Sequence, residues 1–325
     1  MYKKLKENKV QCLNCAHYCL IEEGKRGICR TRENQKGKLF ALNYRKAVAL
    51  NVDPIEKKPF FHFLPGTYSL SLASWGCNFK CLNCQNWTIS QNEMEGEEIS
   101  PEQILEIALK NNLPSISYTY TEPAIFSEYA LEIMKLARKK KIKNAWVSNG
   151  YWSEELFKTI SPFLDAANID LKAFSQDFYL KNCSAKLEPV KETLKRLKKK
   201  NIWTEITTLL IPGLNDSEQE LKAIARFIKE LGPEIPWHIT KFSPEISWKL
   251  KDVKETPRES LKRAHIIGKD AGLRYVYTGN ISGMDSESTF CPKCNTLAVK
   301  RLGYEISRYD SRGRCPKCKE NLNII

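Results

Sequence analysis

From Tyr68 to Gly279 the chain alternates short apolar runs with longer amphipathic ones. The short runs are "YSLSLASW", "SISYTY", "NAWVSN", "AANIDLKA", "TEITTLLIP", "WHITKF" and "RYVYTG". Between them lie helix-length patterns such as "SPEQILEIALKN", "KLEPVKETLKRLKKK" and "NDSEQELKAIARFIKEL". Helix-start signals support the longer pieces: Ser100 before Pro101, and Asp216 before an apolar-periodic run. Strand–helix repetition makes βα units with parallel strands. Six or seven units over about 210 residues suit a partial TIM-like (β/α)6 barrel better than a closed eight-stranded one. Such a barrel places its active site at the C-terminal strand ends.

Twelve cysteines punctuate this pattern. Cys12, Cys15, Cys19 and Cys29 stand before it. Cys77, Cys81 and Cys84 follow the first barrel strand, and Cys291, Cys294, Cys315 and Cys318 end the chain. Cys183 stands alone and reads as an ordinary small residue. The expected division is an N-terminal four-cysteine, metal-binding segment with a β-hairpin over 1–64, a barrel over 65–284 and a separate tail over 285–325. "MYKKLKENKVQC" lacks the apolar core of a signal peptide, and no run is long enough to span a membrane. A cytoplasmic protein is expected, and in that compartment so many thiols point to metals rather than disulfides.

The net charge is 52 − 38 = +14. Much of it sits in "KLARKKKIK" and "LKRLKKKN", which read as last turns of helices, where cations suit the dipole and are solvated. The other reading is a patch for something acidic: RNA, a phosphorylated ligand or an acidic protein.

The triplet "CNFKCLNC" has the spacing C-x3-C-x2-C and no fourth local thiol. A cubane cluster has four irons, so three thiolates leave one corner open to an outside ligand. The competing reading is a zinc site completed by His62 or His238. Asp170 and Lys172 alternate on an otherwise apolar strand and so point into the barrel, where charges must be paired or used. Thr121-Glu122-Pro123 has the form of a helix cap. His238 shares the inward parity of Thr240 and reads either as a satisfied core histidine or as a site residue.

Together "CNFKCLNCQNWTIS", "YTYTEPAIFSEY", "SNGY", "NIDLKAF", "IPGLND" and "YVYTGN" resemble the AmmeMemoRadiSam system branch of the radical S-adenosylmethionine (SAM) enzymes, relatives of the pyruvate formate-lyase activating enzymes. The resemblance implies that Cys77, Cys81 and Cys84 hold a [4Fe–4S] cluster. SAM chelates its open iron and is cleaved reductively to a 5′-deoxyadenosyl radical, which takes a hydrogen atom from a substrate. It further implies SAM contacts at Glu122 (the amino group), Ser148, Asn149, Asp170, Lys172 (the carboxylate) and His238. One departure is Asn83, where relatives carry an aromatic beside the adenine; Phe79 or Trp87 would have to replace it. The implied partners are a ferredoxin- or flavodoxin-type low-potential donor and a Memo-like or AMMECR-type protein.

In the tail, C-P-x-C pairs with C-P-x-C, the arrangement of a zinc ribbon. Asn295 and Lys319 follow the knuckles where relatives have glycine. The head group, C-x2-C-x3-C-x9-C, suits zinc first and a fully ligated iron–sulfur cluster second, with His17 able to replace one thiol. The expected function is radical SAM chemistry on a protein or peptide, with RNA or a small molecule as other targets. A non-catalytic metal-dependent module that binds RNA or protein is the reading from a different class.

Overall fold

The computed structural model describes all 325 residues. Eight strands make one sheet: β1 (Ala49–Pro54), β2 (Tyr68–Ala73), β3 (Ser115–Tyr118), β4 (Lys143–Ser148), β5 (Ala166–Asp170), β6 (Trp203–Leu210), β7 (Trp237–Lys241) and β8 (Val276–Gly279). They pair in chain order and the outer two do not meet, so the sheet is an open, partial barrel. β2 through β8 are parallel. Between them run α1 (Pro101–Lys110), α2 (Ser127–Lys139), α3 (Glu154–Ile160), α4 (Glu188–Lys199), α5 (Glu218–Leu231) and α6 (Arg258–Asp270). Six βα units and a closing strand match the expected alternation.

Local signals explain the boundaries. Ser100 forms a capping box with Gln103 at the start of α1. At α5 the cap is Ser217, whose Oγ accepts from Glu220 N; Asp216 instead accepts from Gly213 N at 2.8 Å. The strands are nearly continuous in buried side chains, as a sheet covered on both faces requires. The lysines of 139–141 and 198–200 are exposed. They end helices that lead into β4 and β6, so they lie at the strand starts, away from the C-terminal strand ends.

The head and the barrel are not separate. Lys38–Ala41 pairs backward with Arg32–Gln35, and Lys46–Ala47 pairs with Glu97–Glu98. β1 joins the sheet antiparallel to β2, from Ala49↔Ala73 to Pro54↔Tyr68. The strands of this stretch thus pair with other segments rather than with one another, and β1 shares a sheet with β2 across residue 64. The physical reason is the bare edge of β2, which an antiparallel strand covers. Further upstream, Met1 N lies 2.9 Å from Glu128 Oε1, Asn14 Nδ2 donates to Ser127 Oγ at 2.6 Å, and Ala16 N donates to the Tyr151 carbonyl at 3.1 Å. The head thus lies across the starts of α2 and α3, beside the C-terminal strand ends.

The segment 59–64 plugs the opposite end. Glu205, fully buried, accepts from the backbone N–H of Phe61, His62 and Phe63, from Trp203 Nε1 at 3.0 Å, and pairs with His238 Nε2 at 2.6 Å. The tail backs the plug: Ile325 N donates to the His62 carbonyl, and Arg301 Nη2 donates to the Phe61 carbonyl at 2.6 Å.

His62 is buried and bonded on both ring nitrogens, Nδ1 to the Leu322 carbonyl at 3.0 Å and Nε2 to Tyr277 Oη at 2.6 Å. A carbonyl only accepts, so Nδ1 carries the proton of a neutral ring and Nε2 accepts from the tyrosine. Burial holds the imidazole down at about 4. An unfolded histidine takes its proton near 6.5, so between about pH 6.5 and 4 the unfolded chain binds more protons and stability falls with pH. This group should account for about 3 kcal/mol of that loss. Calorimetric midpoints measured from pH 7 to 4 should fall more steeply in the wild type than in His62→Gln.

Candidate active site

The loop between β2 and α1 brings Cys77, Cys81 and Cys84 to one wall of a cavity of about 500 Å³. Its other walls include Glu122 after β3, Ser148 and Asn149 at the end of β4, and Asp170 and Lys172 at the end of β5. Eight of the nine residues expected at the SAM and cluster site therefore surround one space.

His238 is the exception. It lies at the start of β7, one layer below Thr240, which does line the cavity. Its Nε2 is taken by Glu205, and its ring stacks on Tyr277 at 5.3 Å. Correct parity placed it inside the barrel, but at the wrong depth. It is a satisfied core histidine. The zinc alternative for the triplet falls with it, since His62 is likewise engaged in the plug.

Glu122 organises the strand ends. It caps the short helix Pro123–Phe126 by accepting from Ala124 N at 3.0 Å, so the cap reading of this segment holds. The same carboxylate accepts from Ser148 Oγ at 2.8 Å and from Asn149 N at 2.8 Å. Burial raises its pKa to about 7 against these donors. Ser148 is saturated, since its Oγ also accepts from Gly150 N and Trp152 Nε1. Asn149 Nδ2 donates to Asn78 Oδ1 at 2.7 Å and lies 3.9 Å from Cys77 Sγ. Both residues are therefore braces as well as wall.

Asp170 and Lys172 pair at 2.8 Å across the strand end. Burial works against the Lys172 charge, and Asp170 overrides it, holding the ammonium well above its ordinary range. Burial, joined by the charge of Glu122, pushes the Cys77 thiol well up. A metal taking these thiols must displace their protons.

Three features were not read from the sequence. Cys183 is not a bystander: it is buried outside the cavity, in the turn that holds the cysteine loop through its backbone carbonyls. Backbone N–H groups of Lys80 and Leu82 donate to the carbonyls of Cys183 and Asn182, so this turn templates the cysteine loop. Lys57 and Lys58 reach the cavity from the turn after β1, and Lys58 is buried against Asp53 at 2.7 Å with its ammonium 4.0 Å from the Tyr120 ring. Burial lowers the Lys58 pKa to about 8 despite that partner. Tyr120 holds φ at 62°, a left-handed conformation rare outside glycine. Of the two aromatics that could replace Asn83 beside the adenine, Phe79 lines the cavity, as Asn83 does, and Trp87 does not.

In the tail, the sulfurs of Cys291, Cys294, Cys315 and Cys318 all lie within 4.8 Å of one another. Asn295 and Lys319 sit at φ 55° and 61°, the left-handed conformation that favours glycine. No other set of three or more Cys, His, Asp or Glu side chains closes to that distance.

Residues 74–228 match the sequence profile of the Radical SAM superfamily, a span that opens at the cysteine loop and covers β3 to β6. The uncharacterized protein MJ0808 of Methanocaldococcus jannaschii is 45% identical over 100% of this chain and 98% of its own. The chain belongs to the radical SAM superfamily. It is a radical SAM enzyme, which removes the non-catalytic reading. The pyruvate formate-lyase-activating enzyme of Clostridium pasteurianum is 22% identical over 58% of this chain and 84% of that enzyme. A radical SAM methyltransferase from Sphaerobacter thermophilus shares the fold with a TM-score of 0.53, at 14% identity over 72% of this chain and 71% of that one.

Membership implies a [4Fe–4S] cluster, SAM and a reducing partner. The donor set of this radical SAM chain suits that cluster: three thiols on one cavity wall, spread wider than the tail's four, with no histidine beside them. No helix is long and apolar enough to cross a membrane.

The Glu122 brace can be tested by itself. Glu122→Ala strands the N–H groups of Ala124 and Asn149 and the Ser148 hydroxyl, at about 1–3 kcal/mol for each buried group left unpaired. Urea unfolding should show a loss of about 3 kcal/mol or more, and a smaller one for Glu122→Gln, which keeps an acceptor oxygen.

Proposed function

We propose that this enzyme generates a 5′-deoxyadenosyl radical at the Cys77–Cys81–Cys84 loop and uses it to abstract hydrogen from a protein or peptide, as an activating or modifying member of the AmmeMemoRadiSam system. The observation that carries the reading is the cavity itself, in which three thiols on one wall face an acid hub and an ion pair on the others. Similarity to the activating enzyme of Clostridium pasteurianum supports a macromolecular target. A Memo-like or AMMECR-type protein is the partner class in this reading, and a ferredoxin or flavodoxin supplies the electron.

When bound, the cluster and SAM supply a one-electron C–S cleavage that yields the abstracting radical. The protein's own work is binding and orientation. Cys77, Cys81 and Cys84 hold three irons and leave the fourth for SAM. Lys172 faces the SAM carboxylate, with Asp170 fixing its ammonium. Glu122 receives the SAM amino group, and that cation would keep its carboxylate ionised despite burial. Ser148 and Asn149 act through Glu122 rather than by reaching the ligand with free atoms. Phe79 takes the adenine contact that Asn83 cannot make. The two lysines after β1 face the substrate end of the space.

In the tail, Cys291, Cys294, Cys315 and Cys318 would hold zinc as a ribbon, and four protein thiolates would leave it no open position, a structural rather than catalytic role. Domain division in this reading is functional rather than spatial: head, catalytic sheet and tail, with β1 assigned to the sheet.

Two outcomes follow. Anaerobically reconstituted Cys81→Ala should lose about four irons relative to wild type and form no 5′-deoxyadenosine from SAM and dithionite; product from that variant, or none from the loaded wild type with a candidate partner protein, rejects the reading. Cys294→Ser should lose about one zinc and make the tail protease-sensitive, while the iron content stays at the wild-type level.

A further inference from the structure

Four thiols in the head are not used by the reading above. Cys12, Cys15, Cys19 and Cys29 line one enclosed space together with Arg32 and Asn78. Three of them are buried and Cys19 half-buried. They are near neighbours, since each of the other three, if ionised, would repel a thiolate at Cys15. Yet they do not draw together as the tail's sulfurs do: no three of them lie within 4.8 Å of one another. A tetrahedral zinc with bonds of about 2.3 Å holds its sulfurs about 3.8 Å apart. A cubane cluster carries an iron at each of four corners, so its thiolates stand farther apart.

The same space has two buried donors without partners, Arg32 Nε and Asn78 Nδ2. Both residues are at most 3% exposed. Buried N–H groups left unpaired are costly, so they mark where an acceptor belongs. An iron–sulfur cluster held by four thiolates is anionic and presents sulfides as acceptors for these N–H groups, while the Arg32 charge itself is paired with Glu128.

We propose that Cys12, Cys15, Cys19 and Cys29 hold a second, fully ligated [4Fe–4S] cluster that relays electrons to the cluster at Cys77, Cys81 and Cys84. This rests on the catalytic reading of that triplet. The structure brings the two cysteine loops into contact. His17, between Cys15 and Cys19, has its Nε2 2.8 Å from the Asn78 carbonyl oxygen, and Asn78 follows Cys77 in the chain. Asn149 Nδ2 bridges Asn78 Oδ1 at 2.7 Å and Cys77 Sγ at 3.9 Å. On the other side, a Cβ at Gly76 would collide with Thr31 and stand 3.1 Å from the Cys29 carbonyl oxygen, so the two loops touch. His17 is spent on this contact and is not a ligand. The step is electron transfer only: a low-potential iron–sulfur or flavin donor loses one electron, the head cluster gains and then passes it, and no bond or proton changes at the thiolates.

The test is metal content and spectroscopy of the full chain, purified and reconstituted without air. The wild type should carry about eight irons and about one zinc; about four irons with about two zinc overturns the proposal. Cys81→Ala should retain about four irons with an electron paramagnetic resonance signal that SAM does not alter, because a fully ligated cluster has no open iron. Loss of all iron in Cys81→Ala also overturns it. Cys12→Ser/Cys29→Ser should show the converse, about four irons whose signal shifts on adding SAM. Should that double variant fail to fold, the wild-type count and Cys81→Ala still decide. If instead the wild type holds only about four irons and Cys81→Ala keeps them, the triplet reading fails while the head cluster stands.

Discussion

Parallel strands paired in chain order leave β1 and β8 unjoined, and that gap is the constraint from which the rest of the structure follows. An open sheet of this kind has two bare edges and an unfilled lower end. β1 occupies one edge, running against the direction of the other seven strands. The segment 59–64 fills the lower end, and Glu205 secures it by accepting from three successive backbone N–H groups and from Trp203. The tail hairpin brings Tyr304 to the cavity wall. With the lower end plugged, the space that remains opens at the C-terminal strand ends, where the cysteine loop lies.

Burial then sets the electrostatics. Desolvation pushes Glu122, Lys58 and Lys172 toward their neutral forms, and each is answered by different partners. Lys172 is kept charged by Asp170, and Lys58 is only partly held by Asp53. Glu122 is held at about 7, between its two states. A cavity of this kind favours guests that bring compensating charge, which an amino acid sulfonium and an anionic cluster both do.

Much of this is readable in the chain. Alternating periodicity locates all seven parallel strands, and the thiol spacing locates the loop, because both depend on local sequence. What is not readable depends on depth and on non-local pairing. His238 has the right parity, but parity cannot tell the cavity layer from the plug layer below it. β1 reads as one arm of a hairpin or of a pair of strands, and nothing local says that Ala49–Pro54 pairs with β2. Cys183 carries no motif, and its role comes from a π-helical turn, Tyr179–Cys183, folding behind Cys81. Lys58 looks like an ordinary surface lysine next to Lys57, and only the tertiary fold buries it. Asp216 gives way to Ser217 as a cap by one residue, because the aspartate is drawn to Gly213 N.

The cysteine groups argue the same point from chemistry. In the tail, each C-P-x-C knuckle turns through a left-handed residue, Asn295 or Lys319, which folds two sulfurs toward one point. Two knuckles facing each other then close on a single ion. The triplet has no such knuckle pair: its loop is held by backbone bonds to the carbonyls of Asn182 and Cys183 and by Asn149, and its thiols stay apart along a wall. The head resembles the triplet in this respect, its cysteines coming from the strand Val10–Cys12, the turn after it and the distant Cys29. Sequence spacing alone does not separate a closed metal site from a wide one. The backbone that carries the thiols does, because it sets how near the sulfurs can come before any metal arrives.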